Sequence, residues 1–173
     1  MKKILMVAIF LFMGVSMIGC SNNINKEDVD NQVSIIKECF DESREVMDCI
    51  NGYLGDDGSD LIGQTENIDK IEEKLKEVSI DDIEKIYKNE DDFKKIKFDY
   101  LFTQRRIACG KEILKMYDDD NSFSEDEFSE ALNLINASNT VGEITEKIEK
   151  IQNEIDSKYG LDSKEINKLG SEL

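Results

Sequence analysis

The sequence predicts an all-α protein, a bundle of four to six helices with a long central helix at about 91–117. Apolar residues after position 20 recur at spacings of three and four, which is the period of one helix face. No stretch there alternates apolar and polar residues over the length of a strand. The 173 residues include no proline, the residue that most strongly interrupts helices. The length fits a single domain.

The first helix is predicted at 27–52. Glu27 and Asp28 open it, and acidic side chains suit the positive N-terminal end of a helix dipole. A heptad pattern of this kind predicts that one face of the helix packs against other helices. The seam has one polar member and consists of Val29, Val33, Ile36, Phe40, Ser43, Met47, Ile50 and Leu54.

Two further helices are predicted at 65–89 and 91–117. Thr65 is the expected N-cap of the first, and Ser79 is expected to kink or restart it. The segment 91–117 carries apolar residues on several sides, which is typical of a helix that others surround. Its aromatic run at 98–102 is therefore predicted to lie in the core rather than to line a ligand pocket.

Capping signals place the remaining helices. Ser124 and Glu127 have the spacing of a capping box at the start of a short helix. The last long helix is predicted at 141–159, where Gly160 suits the left-handed position that follows a helix. Asp162 is expected to cap a final turn. With 27–52, these segments complete the predicted bundle.

Residues 1–20 have the character of a secretory signal peptide. Lys2 and Lys3 supply the positive charge, and 4–13 is an unbroken run of ten apolar residues. A membrane-spanning helix usually needs about 20 apolar residues, so the run is short for a span. The segment ends in Met17-Ile18-Gly19-Cys20.

This ending resembles the lipobox of bacterial lipoproteins, with Met17 where Leu is usual. The resemblance implies that Cys20 carries a diacylglyceryl group and that a signal peptidase cleaves between Gly19 and Cys20. Two acyl chains give a stable membrane anchor, whereas one gives marginal binding. The expected organisation is then a signal peptide at 1–19, a lipidated tether at 20–26 and one helical domain at 27–173, outside the cell membrane. The alternatives are an uncleaved anchor and ordinary secretion.

The charge of the chain excludes several functions. It holds 22 Lys+Arg against 39 Asp+Glu, a net −17, and loss of Lys2 and Lys3 with the signal peptide leaves 20 against 39, or −19. Nucleic-acid binding requires a basic surface, so we expect no nucleic-acid partner. The absence of histidine excludes Ser-His-Asp and Cys-His nucleophile pairs and two-histidine metal sites.

Three cysteines remain once Cys20 is assigned to lipid. Cys39 and Cys49 lie ten residues apart on one predicted helix, a rise of about 15 Å, which is too far for a disulfide. Cys49 lies outside the apolar seam, and an exposed thiol is unusual in an oxidising compartment. A disulfide between Cys49 and Cys109 is predicted if the first and central helices run parallel. The alternatives are a bridge between Cys39 and Cys109 and three free thiols.

Two acidic loops have some features of cation sites. The segment 118–122 places oxygens at its first, third and fifth positions, like a calcium loop. However, Phe123 stands where glycine is required, and Ser129 where the bidentate Glu belongs. The loop at 52–63 lacks a ligand spacing, so turns and helix caps are the expected role of both, and no cofactor is predicted. The candidate cation ligands are Asp56, Asp57, Asp60, Asp118 and Asp120.

The sequence contains no catalytic constellation and no glycine-rich phosphate loop. We expect Arg105 and Arg106 to pair with acids. The expected function is a membrane-anchored lipoprotein whose helical domain binds another envelope or secreted protein. One alternative is a small-ligand or cation-binding module that uses the 52–63 loop. Another is an envelope enzyme that uses carboxylates, for which no catalytic residue is assigned.

Overall fold

The computed structural model describes residues 24–55, 61, 63–87, 89–118, 123–141 and 144–173, which form seven helices and no strand. The predicted all-α class and long central helix are confirmed. The number of helices exceeds the expected four to six because the segment 65–89 divides in two and the C-terminal turn extends. The helices are α1 (Lys26–Leu54), α2 (Gln64–Lys76), α3 (Ile80–Ile86), α4 (Glu90–Asp118), α5 (Glu125–Asn139), α6 (Glu146–Tyr159) and α7 (Ser163–Glu172).

Helix α4 is the centre of the bundle. It packs against each of the other six helices. Its residues 105–110 are buried in succession, so no side of this stretch faces solvent. Phe98 and Phe102 lie in the core, as predicted, and stack with ring centroids 5.1 Å apart. None of the described helices combines the length and the apolar character that crossing a membrane requires.

Helices α1 and α4 run parallel. The Phe40 carbonyl accepts a hydrogen bond from Arg106 Nη1 at 3.2 Å, and further along Tyr53 packs edge-on against Tyr117 at 5.3 Å. The apolar seam of α1 supplies this contact, and seven of its eight members are buried, Phe40 only partly. The direction matters because it brings the C-terminal halves of the two longest helices to the same end of the bundle.

Helix α2 runs antiparallel to α1. The Cys39 thiol contacts the Ile71 carbonyl at 3.9 Å, and Gln64 Nε2 donates to Cys49 Sγ at 3.3 Å. Close packing of both helices on α4 requires Gly110. A Cβ at that position would lie 2.7 Å from Cδ1 of Ile68 on α2, so a larger residue would force the buried Ile68 side chain to move.

Local capping chemistry fixes most of the helix ends. The Ser79 side chain accepts from Asp82 N–H, and the predicted capping box of Ser124 and Glu127 is present. Gly160 adopts the left-handed conformation with φ 73°, and Asp162 caps α7. These four predictions are confirmed because each depends on neighbours within a few residues.

Two predicted helix starts are corrected. Helix α2 follows Gly63, which has φ 91°, and it includes Thr65 in its first turn. Helix α6 begins at Glu146 rather than near 141, because Thr145 accepts the N–H of Ile148 and caps it there. The preceding helix continues through Asn139, further than the predicted break at 136–140.

A buried ion pair joins α4 to the C-terminal helices. Arg105 and Asp156 are both inaccessible to solvent, and the guanidinium donates to both carboxylate oxygens at 2.5–3.1 Å. Ser163 also donates to Asp156 at 2.5 Å, and Arg105 Nη1 donates to Asn167 at 3.0 Å. The hydrogen bonds from Ser163 and to Asn167 help to offset the cost of burying the two charges.

Candidate binding groove

A groove of about 720 Å³ lies between α1 and α2 on the surface of the bundle. It follows from the antiparallel packing of two helices whose facing edges carry long side chains. The α1 wall carries Glu42 and Glu45, and the floor contains Val46, Cys49 and Ile71. The remaining lining residues come from α2 and are Gln64, Glu66, Asn67, Asp69, Lys70, Glu73 and Lys74.

The floor of the groove is apolar apart from one thiol. Val46 and Ile71 are buried, with 7% and 2% of their surface exposed, because they also pack into the core below. Cys49 is partly exposed and accepts the hydrogen bond from Gln64 across the groove. The floor is therefore a narrow strip of carbon and sulfur between two polar walls.

The walls of the groove are acidic. Five carboxylates line it against two ammonium groups, which leaves a net charge of −3. Both lysines are already paired: Lys70 contacts Glu66 at 2.8 Å, and Lys74 contacts Glu38 at 2.6 Å and Glu42 at 2.8 Å. The hydrogen bonds to Glu38 and then Glu42 raise the pKa of Lys74, so it remains charged.

Not every carboxylate of the groove has a cation. Glu45 is exposed and makes no ion pair within the part of the chain that the structure describes. Asp69 approaches Lys111 only at 4.0 Å, at the limit of an ion pair. The groove therefore presents excess negative charge to anything that enters it.

A second, smaller cleft of about 210 Å³ lies between α2, α4 and α6. Tyr100, Gln104 and Tyr159 are among the residues that line it. Pockets for small ligands usually measure about 300–1,000 Å³. This cleft is below that range, whereas the groove of about 720 Å³ and a neighbouring pocket of about 390 Å³, lined by Ile68, Leu114 and Tyr159, fall within it.

The polar network beside the small cleft ties α6 to α4. Glu112 accepts from Lys158 at 2.6 Å, from Tyr159 at 2.6 Å and from Lys115 at 2.9 Å. Burial raises the pKa of Glu112, but these three hydrogen bonds outweigh it and lower the pKa to about 2. Both oxygens of this carboxylate accept hydrogen bonds from protein side chains, which indicates a structural role.

The disulfide predicted between Cys49 and Cys109 is not formed in the structure. Cys109 is a buried free thiol, and burial raises its pKa to about 12. The parallel arrangement of α1 and α4 is present, but Gly110 rather than Cys109 faces α1 and α2. Cys39 is likewise a buried free thiol, which removes the alternative bridge to Cys109.

The pairing predicted for the arginine doublet is confirmed for one residue. Arg105 pairs with Asp156, but Arg106 makes no ion pair within the described residues. Its guanidinium carbon instead lies 4.6 Å from the ring centroid of Phe40 and 4.7 Å from that of Phe102. Burial lowers the pKa of Arg106 to about 10, and cation–π contact replaces the expected carboxylate.

The predicted lipid and cation sites lie outside the described residues. These are Gly19 and Cys20 of the lipobox and Asp56, Asp57, Asp60 and Asp120 of the acidic loops, while Asp118 is described only as the last residue of α4. Among the residues that the structure does describe, no three cysteine or carboxylate side chains gather as a metal site requires.

The groove itself was not predicted from the sequence. Its acidic residues are spread over 42–73, and their convergence depends on how α1 and α2 pair. Compared with protein-family models, with curated proteins and with solved structures, the chain has no significant match.

Proposed function

We propose that the chain is a bacterial lipoprotein anchored through Cys20 to the extracytoplasmic face of the cell membrane, and that its helical domain binds another protein. The observation that carries the binding role is the groove between α1 and α2, which is lined by charged side chains over an apolar floor. An apolar strip between polar walls is the arrangement by which a groove accepts a helix of a partner protein.

The anchor is supported by the order of features at the N-terminus. Lys2 and Lys3 come first, the apolar run at 4–13 follows directly, and the lipobox at 17–20 comes three residues later. The six residues between Cys20 and the start of the helical domain span at most about 20 Å when extended. The domain would therefore be held close to the bilayer rather than on a long stalk.

The two alternative functions have less support. Volume does not separate a small ligand from a protein element, because the groove of about 720 Å³ and a pocket of about 390 Å³ lined by Ile68, Leu114 and Tyr159 both fall in the usual range. The acidic walls on both sides of the groove favour the protein element. A hydrolase that uses two carboxylates would require an acid whose pKa is raised beside one that stays ionised. In the groove, the pKa of Glu66 is instead lowered by its hydrogen bond to Lys70.

Replacing Cys20 with Ala tests the anchor. We expect the wild-type chain in the membrane fraction, shortened by its signal peptide and labelled when cells receive a clickable fatty acid. The Cys20→Ala variant should stay unprocessed and unlabelled, because the thiol that accepts the lipid is missing. Cys49→Ala is the matched control and should behave like wild type. Unlabelled and uncleaved wild-type protein would refute the anchor.

Crosslinking on intact cells tests the binding role. A photoactivatable amino acid placed at Glu45, inside the groove, is expected to give a discrete crosslinked species of higher mass. The same amino acid at Glu149, on the exposed face of α6, should give none, and mass spectrometry would identify the partner. Equal crosslinking from both positions would mean that the groove has no preferred partner.

A further inference from the structure

From the charge and shape of the groove, we infer that its occupant is a basic amphipathic helix of the partner protein. This inference rests on the proposed binding role and deepens it by stating the chemistry of the partner. Helix-in-groove recognition places the apolar face of an incoming helix on the floor and its polar flanks on the walls. The groove between α1 and α2 supplies both.

The dimensions of the groove fit a short helical segment. Its lining residues run from Gln64 to Lys74 on α2, which corresponds to about 15 Å of helix rise. The facing residues Glu42 to Cys49 cover about 10 Å of α1. A helix of two to three turns therefore covers the apolar floor, and its apolar residues need to recur at spacings of three and four.

Charge complementarity determines that the helix is basic. Both lysines of the groove are held by carboxylates, and its lining keeps a net charge of −3, which Lys76 beside Glu73 and Lys111 near Asp69 offset only in part. Glu45 on the α1 wall has no cationic partner in the described part of the chain, and Glu73 on the α2 wall pairs only with the exposed Lys76. Lysines or arginines on both flanks of an incoming helix would meet one carboxylate wall each.

The same charge disfavours the other occupants of such a groove. A second copy of this chain carries the same acidic walls, and a symmetric contact would set carboxylates against carboxylates. Anionic ligands and anionic lipid surfaces are repelled for the same reason. A basic helix, in contrast, is attracted electrostatically by the carboxylates of the walls.

The test uses the full-length chain in nanodiscs of phosphatidylcholine, a zwitterionic lipid, with empty nanodiscs as blank. The probe is a fluorescent 14-residue peptide of Lys and Leu whose leucines lie on one helical face. A peptide of the same composition with scrambled leucines is the control. Fluorescence anisotropy should show saturable binding of the amphipathic peptide and weaker binding of the scrambled one. Equal binding of both peptides, or binding of neither, would overturn the inference.

Two matched double variants locate the binding. Glu45→Gln with Glu73→Gln removes one unpaired and one paired carboxylate from the groove, and it should weaken binding roughly tenfold. Glu149→Gln with Glu154→Gln removes one unpaired and one paired carboxylate from α6, and it should change affinity less than about twofold. Equal losses in the two variants would show that only overall charge matters. Thermal melting confirms that both variants are folded.

Cys49 provides a second readout that does not depend on charge. The thiol lies on the floor of the groove, whereas Cys39 and Cys109 have none of their surface exposed. Saturating peptide should slow maleimide modification of Cys49, as mapped by mass spectrometry, and absence of protection would overturn the inference. Because neither measurement requires acylation, failure of the Cys20 experiment alone rejects the anchor, and failure of the peptide experiments alone rejects the basic helix.

Discussion

Arg105 and Asp156 are a buried charge pair in which each residue depends on the other. Neither side chain is accessible to solvent, and their hydrogen bonds connect α4, α6 and α7. The interior of a protein stabilises such a pair only while both charges are present, because a single buried charge keeps its desolvation cost and loses its compensation. The C-terminal part of the bundle therefore depends on this contact.

Substitution of Asp156 by Ala should destabilise the protein by about 3–5 kcal/mol. The reason is that Arg105 would remain buried without a counter-ion. Urea denaturation followed by circular dichroism measures this loss. The control Glu154→Ala removes an exposed carboxylate of the same helix and should cost less than about 0.5 kcal/mol.

The double variant Arg105→Met with Asp156→Leu separates the two contributions. Replacing both charges by apolar side chains of similar size leaves no buried ion, so we expect the double variant to be more stable than Asp156→Ala alone. A double variant less stable than the single one would show that the pair contributes to stability mainly through Ser163 and Asn167.

At the scale of elements, Glu112 connects α4 to the C-terminal end of α6. Its hydrogen bonds with Lys158, Tyr159 and Lys115 stabilise the ionised form in the folded protein and lower its pKa from the ordinary 4.5 to about 2. Stabilisation from a lowered pKa is fully present above pH 4.5 and is lost as the pH falls from there towards 2.

The variant Glu112→Gln should therefore lower the free energy of unfolding at pH 7 by about 1–2 kcal/mol. The difference from wild type should shrink as the pH is lowered from 5 to 3, because Glu112 of the unfolded chain, with its ordinary pKa of 4.5, takes up a proton while the folded carboxylate stays ionised. Urea titrations at several pH values provide the measurement. Glu130→Gln, on the exposed face of α5, is the control, and an equally large pH-dependent difference there would contradict the role of Glu112.

Helix caps depend on residues close together in the sequence, whereas helix boundaries do not always. Ser79, Ser124 and Asp162 cap helices as predicted, because a side chain and a backbone N–H within three residues decide a cap. The start of α6 was misplaced, since apolar spacing continues from Val141 whether or not the backbone is helical. Periodicity identifies a helix, but it locates the ends poorly.

The candidate site could not be predicted from sequence because it is formed by residues that lie far apart in the chain. Glu45 and Glu73 are unremarkable acids until α1 and α2 pair, and the register of that pairing is set by contacts between residues far apart in the chain, such as the Cys39 thiol with the Ile71 carbonyl. Asp156 is likewise 51 residues from Arg105, and nothing around either residue indicates the contact. The composition indicates an acidic surface, but the packing of α2 against α1 is what brings these acidic side chains together in one groove.

At the scale of the whole molecule, the groove lies far from the start of α1. Nineteen residues of α1 separate Lys26 from Glu45, a rise of about 28 Å. Charges are screened beyond about 8 Å at physiological ionic strength, so a bilayer at the start of α1 has little influence on the groove. If α1 points away from the bilayer, a partner can reach the groove without contacting the membrane.

The net charge of the whole chain predicts how its thermal stability depends on salt. With −17 in the full sequence, carboxylates repel one another throughout the folded state, and this repulsion is strongest at low ionic strength. Raising NaCl from 10 to 150 mM shortens the screening length from about 30 Å to about 8 Å, and we expect Tm to rise by roughly 2–5 °C. A falling Tm would show that ion pairs such as Lys74 with Glu38 and Glu42 outweigh the repulsion.

Divalent cations extend the same experiment to the acidic loops. Screening depends on ionic strength, so 1 mM CaCl₂ and 1 mM MgCl₂ should shift Tm equally at constant ionic strength. A specific calcium site with a Kd of about 10 μM would instead add about 2.7 kcal/mol at that concentration. Such a calcium-specific rise, abolished by Asp57→Asn with Asp60→Asn or by Asp120→Asn, would favour the cation-binding alternative. Equal Tm shifts with the two salts would mean that screening explains the effect. Calcium and magnesium carry the same charge, and only a site that coordinates the ion distinguishes them.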